Sequence, residues 1–197
     1  MPDNPEMLPA LMGLQKAIGE QVDIGMEELS LLLPHLKMNK MDKGDLLVKQ
    51  GQVENNMHFI VDGVTRSFFI KDGNVISFEF YFPGMFISSY ASFLTGTASR
   101  HSIEAFTPLT IFSIAHNDLM EAYGKSRKLE QMRIFVTEEL FKKTSERNMD
   151  FLSLSATERY LKLLNEHPQY VQNIPLKYLA SYLNITPESL SRIRKHI

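Results

Sequence analysis

Between Lys43 and Ala115 the chain alternates short β-prone runs with turn signals, and from Ser126 to Phe151 it runs on without a single Pro or Gly. The turn signals are Lys43-Gly44-Asp45, Gln50-Gly51-Gln52, Asp62-Gly63, Lys71-Asp72-Gly73-Asn74, Pro83-Gly84 and Thr95-Gly96-Thr97. Between them lie Leu46–Val48, Met57–Val61, Val64–Ile70, Val75–Tyr81 and Leu109–Ile114. Strands at this short, fairly regular spacing predict an antiparallel sandwich or barrel. Asp72-Gly73 suits a hairpin turn, because glycine tolerates positive φ. The chain is therefore α+β, with the β content confined to one block.

The flanks of that block have a helical period. Leu8, Leu11, Leu14 and Ile18 fall three or four apart until Gly19, and Met26, Leu29, Leu32 and Leu33 repeat the pattern until Pro34. After Ala115, Asn117 is expected to cap a short helix ending near Gly124. The long helix carries Leu129, Met132, Val136 and Leu140 as one apolar stripe, with Arg133, Thr144 and Arg147 along its flank. That stripe can pack on the chain's own sandwich or pair with a second copy as a coiled coil; pairing is the expectation adopted. Ser155-Ala156-Thr157-Glu158 fits a capping box, in which serine and glutamate satisfy each other's free backbone N–H groups. Leu161 and Leu164 continue that helix to His167, where Pro168 stops it. Ser153-Leu154 is the natural hinge. The division expected is a sensor domain over 1–125, a dimerisation helix over 126–152 and a DNA-binding domain over 153–197.

The last segment carries the most specific pattern. Ile174 to Leu183 reads as a short helix with proline near its start, and Asn184-Ile185 makes the turn. Thr186 is a good N-cap, Pro187 sits at N1 and Glu188 lies in the first turn. Ala180 is small where two helices cross, Ile185 plugs the corner, and Leu179, Leu183, Leu190 and Ile193 build a shared core. This is a helix-turn-helix whose second helix can enter a major groove. There Arg192 can bond guanine O6 and N7 with two N–H groups, and Glu188 can accept from cytosine N4. Thr186, Ser189 and Lys195 can hold phosphates, which sets register without reading sequence.

Charge agrees with that placement. The net charge of −2 divides into +3 from Ser153 onward and −5 before it. A basic tail on an acidic body suits a polyanionic partner. The chain has no cysteine, which excludes disulfides and Cys-ligated zinc or iron–sulfur centres. Its six histidines, residues 35, 58, 101, 116, 167 and 196, show no metal-ligand spacing. No phosphate-binding loop, nucleophile elbow or paired-carboxylate motif is present, so no enzyme is expected. No apolar run approaches the ~20 residues that span a bilayer. The opening Met1–Glu6 lacks a basic start and a signal-peptide core, so a cytoplasmic protein with no membrane association is expected.

Over nearly its whole length the chain resembles the Crp/Fnr family of transcription regulators, the cAMP receptor protein superfamily. Lys43–Gly51 resembles the first glycine-bracketed strand of a cyclic-nucleotide-binding domain, and Met57–Val64 its next strand and turn. Phe82-Pro83-Gly84-Met85-Phe86 through Ser99–Ala105 occupies the phosphate-binding cassette. Leu190-Ser191-Arg192-Ile193 resembles the recognition helix. The resemblance implies a β-jelly-roll sensor, a long dimerisation helix and a winged-helix-like DNA-binding domain. It also implies a homodimer on a palindromic operator in double-stranded DNA, RNA polymerase as a further partner, and base reading by Glu188 and Arg192.

The cassette departs from the family pattern. Cyclic-nucleotide binders carry a glutamate after the cassette glycine, for the ribose hydroxyl, and an arginine before a small residue, for the cyclic phosphate. Here Met85 follows Gly84 and Phe86 comes next. The arginine position falls on Ser99, with Arg100 beside it. A methionine cannot accept a hydroxyl's hydrogen bond as a carboxylate does. Thr144-Ser145 matches the helix position where cAMP receptors contact the adenine. The expectation is a sensor that does not take cAMP in the usual way, with no certain cofactor and either an unidentified small-molecule effector or a vestigial pocket. Two other functions compete: a small-molecule-binding module whose C-terminal helices contact protein instead of DNA, and a cupin-like metalloenzyme, against which the lack of a His-rich strand argues. The sequence stops at Ile197, directly after the second helix, whereas many family members continue for one more hairpin or helix. A wing contact on that side is therefore not expected, and DNA affinity is expected to lean on dimerisation.

Overall fold

The computed structural model describes residues 7–19 and 24–197. The opening Met1–Glu6, read as free of targeting signals, lies outside the described residues, as do the side chains of Leu8 and Ile18.

Two helices, α1 (Met7–Gly19) and α2 (Met26–Leu32), precede the strands, and a single 3-10 turn at Leu33–His35 places Pro34 where its missing N–H costs nothing. The strands are β1 (Lys37–Met41), β2 (Leu46–Val48), β3 (Asn56–Asp62), β4 (Thr65–Lys71), β5 (Asn74–Tyr81), β6 (Phe86–Ile87), β7 (Ser102–Ala105) and β8 (Leu109–Ala115), with a short helix α3 (Tyr90–Thr95) between β6 and β7. They form two four-stranded sheets, ordered β1-β8-β3-β6 and β2-β7-β4-β5. β1 and β3 pair antiparallel with β8, as do β3 with β6 and β2 with β7. Five of these strands coincide with runs visible in the sequence. β1, β6 and β7 do not: Lys37-Met38-Asn39-Lys40-Met41 is a half-exposed polar edge, β6 has two residues, and β7 mixes Ser102 and Glu104 with Ile103 and Ala105.

The period-2 alternation of the inner strands feeds two cores. Leu109 and Ile111 of β8 and Ile60 of β3 join Val48, Ile87, Ile103 and Ala105 in one cluster. Phe112 and Ile114 of β8 and Met57 and Phe59 of β3 turn the other way, where Leu14, Leu29 and Leu32 of the first helices meet them. Two turns need unusual backbone. Asp72 and Gly73 both have positive φ, 51° and 76°, the arrangement that matches the twist of a two-residue hairpin. Gly63 packs so tightly that a Cβ would lie 2.3 Å from the Pro108 carbonyl oxygen.

Six helices follow: α4 (His116–Lys125), α5 (Arg127–Ser153), α6 (Ala156–Glu166), α7 (Pro168–Asn173), α8 (Leu176–Tyr182) and α9 (Pro187–Lys195). The Ser155–Glu158 capping box is formed. Asn117 is not the cap of α4: the helix already begins at His116, with Ala115 in the cap position. Pro168 ends α6 but also opens α7 at its first turn, so the halt read from the sequence is a corner between two helices.

The first three residues of the α5 apolar stripe pack on the chain's own core. Leu129 and Met132 are buried in the core with Phe59, Phe112 and Leu119, and Val136 packs against it. A buried side chain of this kind contributes about 1.5–3 kcal/mol, so this part of the stripe is held by the chain's own core. The apolar residues that α5 leaves exposed are Ile134, Phe141, Met149 and Leu152.

The chain divides into two compact units. One contains the described residues up to Ser67 together with Tyr81–Glu138; the other contains Phe68–Phe80 and Glu139–Ile197. Most of the β4–β5 hairpin thus belongs to the C-terminal helical unit.

Candidate nucleic-acid interface and sensor site

Helices α8 and α9 form a rigid two-helix element. Leu179, Ala180 and Leu190 are wholly buried, Leu183 nearly so, and Ile185 is half-buried at the corner. Asn184 takes φ 55°, a conformation that asparagine tolerates better than most residues, and its N–H donates to the Ser181 carbonyl. The Ile185 N–H reaches back to the Ala180 carbonyl at 3.0 Å. The Thr186 hydroxyl accepts from the Ser189 N–H at 3.2 Å and donates to the Ser189 hydroxyl at 3.1 Å, so it caps α9. Glu188, Arg192, Arg194 and Lys195 are exposed, and Ser189 is half-buried. The Glu188 carboxyl is held below its ordinary value by its own backbone N–H, by Thr186 and by Arg192, which keeps it ionised as a hydrogen-bond acceptor. Arg192 donates to the Ser189 hydroxyl at 3.4 Å. Three cations in the last turn also suit the negative end of the helix dipole.

Behind this element the β5 strand acts as a brace. The Tyr170 hydroxyl, on α7, donates to Glu79 Oε1 at 2.8 Å and to the Phe80 carbonyl at 2.7 Å. Glu79 also lies 3.3 Å from Lys143 Nζ and 3.7 Å from an Arg147 nitrogen. On α8, the Ser181 hydroxyl accepts from the Ser77 N–H at 2.9 Å and donates to the Ser77 carbonyl at 3.3 Å. The rings of Phe80, Tyr170 and Tyr182 pack at centroid distances of 5.3 to 6.3 Å.

The N-terminal unit holds a cavity of about 40 Å³ lined by apolar side chains, among them Phe59, Phe86, Phe112 and Met132, with His58 at its wall. His58 Nδ1 sits 2.8 Å from the Ser113 hydroxyl, and its Nε2 sits 3.7 Å from the buried Glu54 carboxylate. Nearby, burial pushes the His101 imidazole below its ordinary value, against the opposing pull of Glu54. Room on this scale admits little more than a water or two.

The loop from Gly84 to Ala105 is closed on itself. The Met85 sulfur accepts from the Phe82 N–H at 3.4 Å, and Phe86 packs on Phe59 with ring centroids 5.2 Å apart. Ser99 is buried; its hydroxyl meets Ser89 at 2.7 Å and donates to the His101 carbonyl at 2.6 Å, while its backbone exchanges hydrogen bonds with Gly51 and Gln52. Arg100 points to solvent. The arginine that is buried in this unit is Arg66 on β4, 2.7 Å from Glu104 and stacked over Phe106.

Comparison with known proteins shows what the chain resembles. Residues 38–126 match the cyclic nucleotide-binding domain family. Among solved structures, FixK2 from Bradyrhizobium japonicum matches with 19% identity and a TM-score of 0.67, over 82% of this chain and 83% of that one. The c-di-GMP responsive global regulator CLP of Xanthomonas campestris matches with 15% identity and a TM-score of 0.66, over 87% and 91%. A transcriptional regulator of the Crp/Fnr family from Eubacterium rectale matches with 16% identity and a TM-score of 0.66, over 88% and 83%. Residues 38–126 are thus similar to a cyclic nucleotide-binding domain, and the chain has the fold of the Crp/Fnr-type structures. Among curated proteins, no sequence matches it significantly.

Measured against that domain, the cassette does not fit a cyclic nucleotide. Met85 supplies no carboxylate for a ribose, the Ser99 hydroxyl is already committed to the loop, and Arg66 already has its counter-ion in Glu104. Of the residues read as a pocket, Gly84, Met85, Phe86, Ser99 and Arg100 lie in the cyclic nucleotide-binding unit. Thr144, whose hydroxyl donates to the Leu140 carbonyl, and Ser145 lie in the other unit. Among the described residues no group of three or more His, Asp and Glu side chains is placed to hold a metal ion, and no helix is long and apolar enough to cross a membrane. The sequence reading missed Tyr170, Glu79, Ser77, Ser181, Arg66 and Glu104. No local pattern marks them, since each acts through a partner far away in the chain.

Proposed function

We propose that the protein is a homodimeric, cytoplasmic transcription regulator of the Crp/Fnr type, a regulator and not an enzyme, that reads a palindromic operator in double-stranded DNA through α9. The observation that carries this reading is the capped α9 with Glu188, Arg192 and Lys195 exposed on a helix whose opposite face is locked by Leu179, Ala180 and Leu190. In this reading Arg192 and Glu188 address base edges, Thr186, Ser189 and Lys195 lie along phosphates, and RNA polymerase is the further partner implied. Residues 1–125 sense, 126–152 dimerise and 153–197 bind DNA. The exposed Ile134, Phe141, Met149 and Leu152 of α5 support a second copy as the partner of that helix.

Selection from random duplex DNA at low salt tests it. The expected products are two-fold symmetric sites with half-sites about 34–36 Å apart. Single half-sites argue against the dimer, and no retained DNA at all argues for the alternative in which the helices contact protein. Arg192→Ala should relax preference at one base pair per half-site, costing about 1–3 kcal/mol there; equal weakening on every sequence would contradict base reading.

The effector, in this reading, is not cAMP bound in the usual way, because Met85 stands where the family carries the ribose carboxylate and the buried Arg66 is already paired with Glu104. Calorimetric titration with cAMP should give no micromolar binding, and a micromolar or tighter dissociation constant overturns the reading.

A further inference from the structure

The apolar cavity of the N-terminal unit has strands on one side and helices on the other. Phe59 of β3, Phe86 of β6 and Phe112 of β8 form its sheet wall, and α5 contributes Met132 and Val136, one turn apart. Every lining residue belongs to the same compact unit. His58, although at the wall, alternates with Met57 and Phe59 along β3. Its ring turns to the opposite face and meets Ser113, which itself alternates with the lining residues Phe112 and Ile114. The Tyr123 hydroxyl is therefore the only polar side-chain group in the lining. Burial pushes the Tyr123 phenol well above its ordinary value, so it stays uncharged.

A volume of about 40 Å³ exceeds what a single water needs. A buried water also needs about two to four polar partners, and one phenol does not supply them. Native cores keep few voids larger than a water, and an apolar void stays dry and takes apolar guests. Size and lining together specify the occupant: uncharged, apolar and about two to four heavy atoms across the whole molecule. Met57 and Met132 add tolerance, because an unbranched thioether side chain refits around guests of slightly different shape.

We propose that this cavity is a binding site for a small neutral apolar molecule, and that its occupant acts on α5. Such a guest touches Met132 and Val136 on that helix and Phe86 on β6, at the start of the cassette loop. A guest that fits one placement of α5 against the sheet better than another favours that placement by the difference in its affinity. The site is separate from the cassette pocket read from the sequence, since Met85, Ser99 and Arg100 do not line it. It gives the sensor of the proposed regulator a class of effector, so its role rests on that reading while the binding itself does not.

NMR of the full chain, with 13C-labelled methionine and valine methyl groups, tests the site by titration with xenon and, separately, with methanol. Saturable xenon shifts are expected at Met57, Met132 and Val136, with none at the exposed Met149. Methanol, small enough to enter but polar, should give no saturable shift. Val136→Leu enlarges a half-buried side chain at the cavity wall and should abolish the xenon response. Should that variant fail to fold, the map of shifts in the unaltered chain decides. Xenon shifts that rise without saturating, that saturate only away from the lining, that methanol reproduces, or that survive in a folded Val136→Leu overturn the site. Retention of the selected DNA under xenon and under helium then tests the action on α5, with a change of about fivefold or more expected. Saturable binding with unchanged retention overturns the effector role. No retention under either gas is a failure of the DNA-binding reading alone, because the methyl shifts judge the cavity without DNA.

Discussion

Replacing Tyr170 by Phe removes one oxygen from the brace behind the helix-turn-helix and leaves the ring where it is. The hydroxyl has one proton, placed between Glu79 Oε1 at 2.8 Å and the Phe80 carbonyl at 2.7 Å. Tyr170 is 2% exposed, so water does not reach the acceptors when the hydroxyl goes. A hydrogen bond to an ionised carboxylate is worth about 1.5–3 kcal/mol, and burying its acceptors unpaired makes the upper half of that range the expectation. Glu79 keeps Lys143, which limits the loss. The edge-on packing of the ring on Phe80, at 88°, does not need the hydroxyl. Tyr170→Phe should therefore lower stability by about 2–3 kcal/mol, a fall in Tm of roughly 4–12 °C for a chain of this size. Urea denaturation gives the free energy, and amide exchange on α8 locates the loss in the C-terminal unit. A double-mutant cycle with Glu79→Gln isolates the pair, with a coupling of about 1 kcal/mol expected. A destabilisation below about 0.5 kcal/mol, or additive single variants, would refute the claim that this contact braces the reader.

Two further perturbations probe the N-terminal unit. Glu104→Ala leaves the buried Arg66 without its counter-ion and should cost about 3–5 kcal/mol, whereas the apolar pair Arg66→Met with Glu104→Leu should recover most of that loss; chemical denaturation of the three proteins compares them, and a costly double variant would show that the pair is more than compensated charge. His101 has a folded-state pKa depressed by burial, so the stability of its neutral form is complete above its ordinary value of 6.5 and is lost as pH falls toward the lower folded value. His101→Asn should flatten the fall in stability between pH 7 and pH 5, measured by urea denaturation at each pH; an unaltered slope would mean that another group controls it.

Much of this protein is written locally. Gly-marked turns and period-2 runs specify the long strands, because alternation alone tells a strand which side to bury. The Ser155–Glu158 box and the Thr186 cap form as read, because a cap needs only a side chain and a backbone N–H three residues away. The helix-turn-helix is legible for the same reason: its small residue, turn and cap lie within one short segment. What the sequence does not carry is which surface each element meets. The apolar stripe of α5 looks the same whether it faces a second copy or its own sheet, and only the tertiary structure shows Leu129 and Met132 buried with Phe59, Phe112 and Leu119. The polar edge strand β1 becomes a strand only because β8 offers it hydrogen bonds. The Tyr170–Glu79 contact and the Arg66–Glu104 pair depend on groups brought together from distant positions. Residue type and spacing set the reader's local form. Burial and charge pairing, which exist only once the chain has closed on itself, decide how it is held.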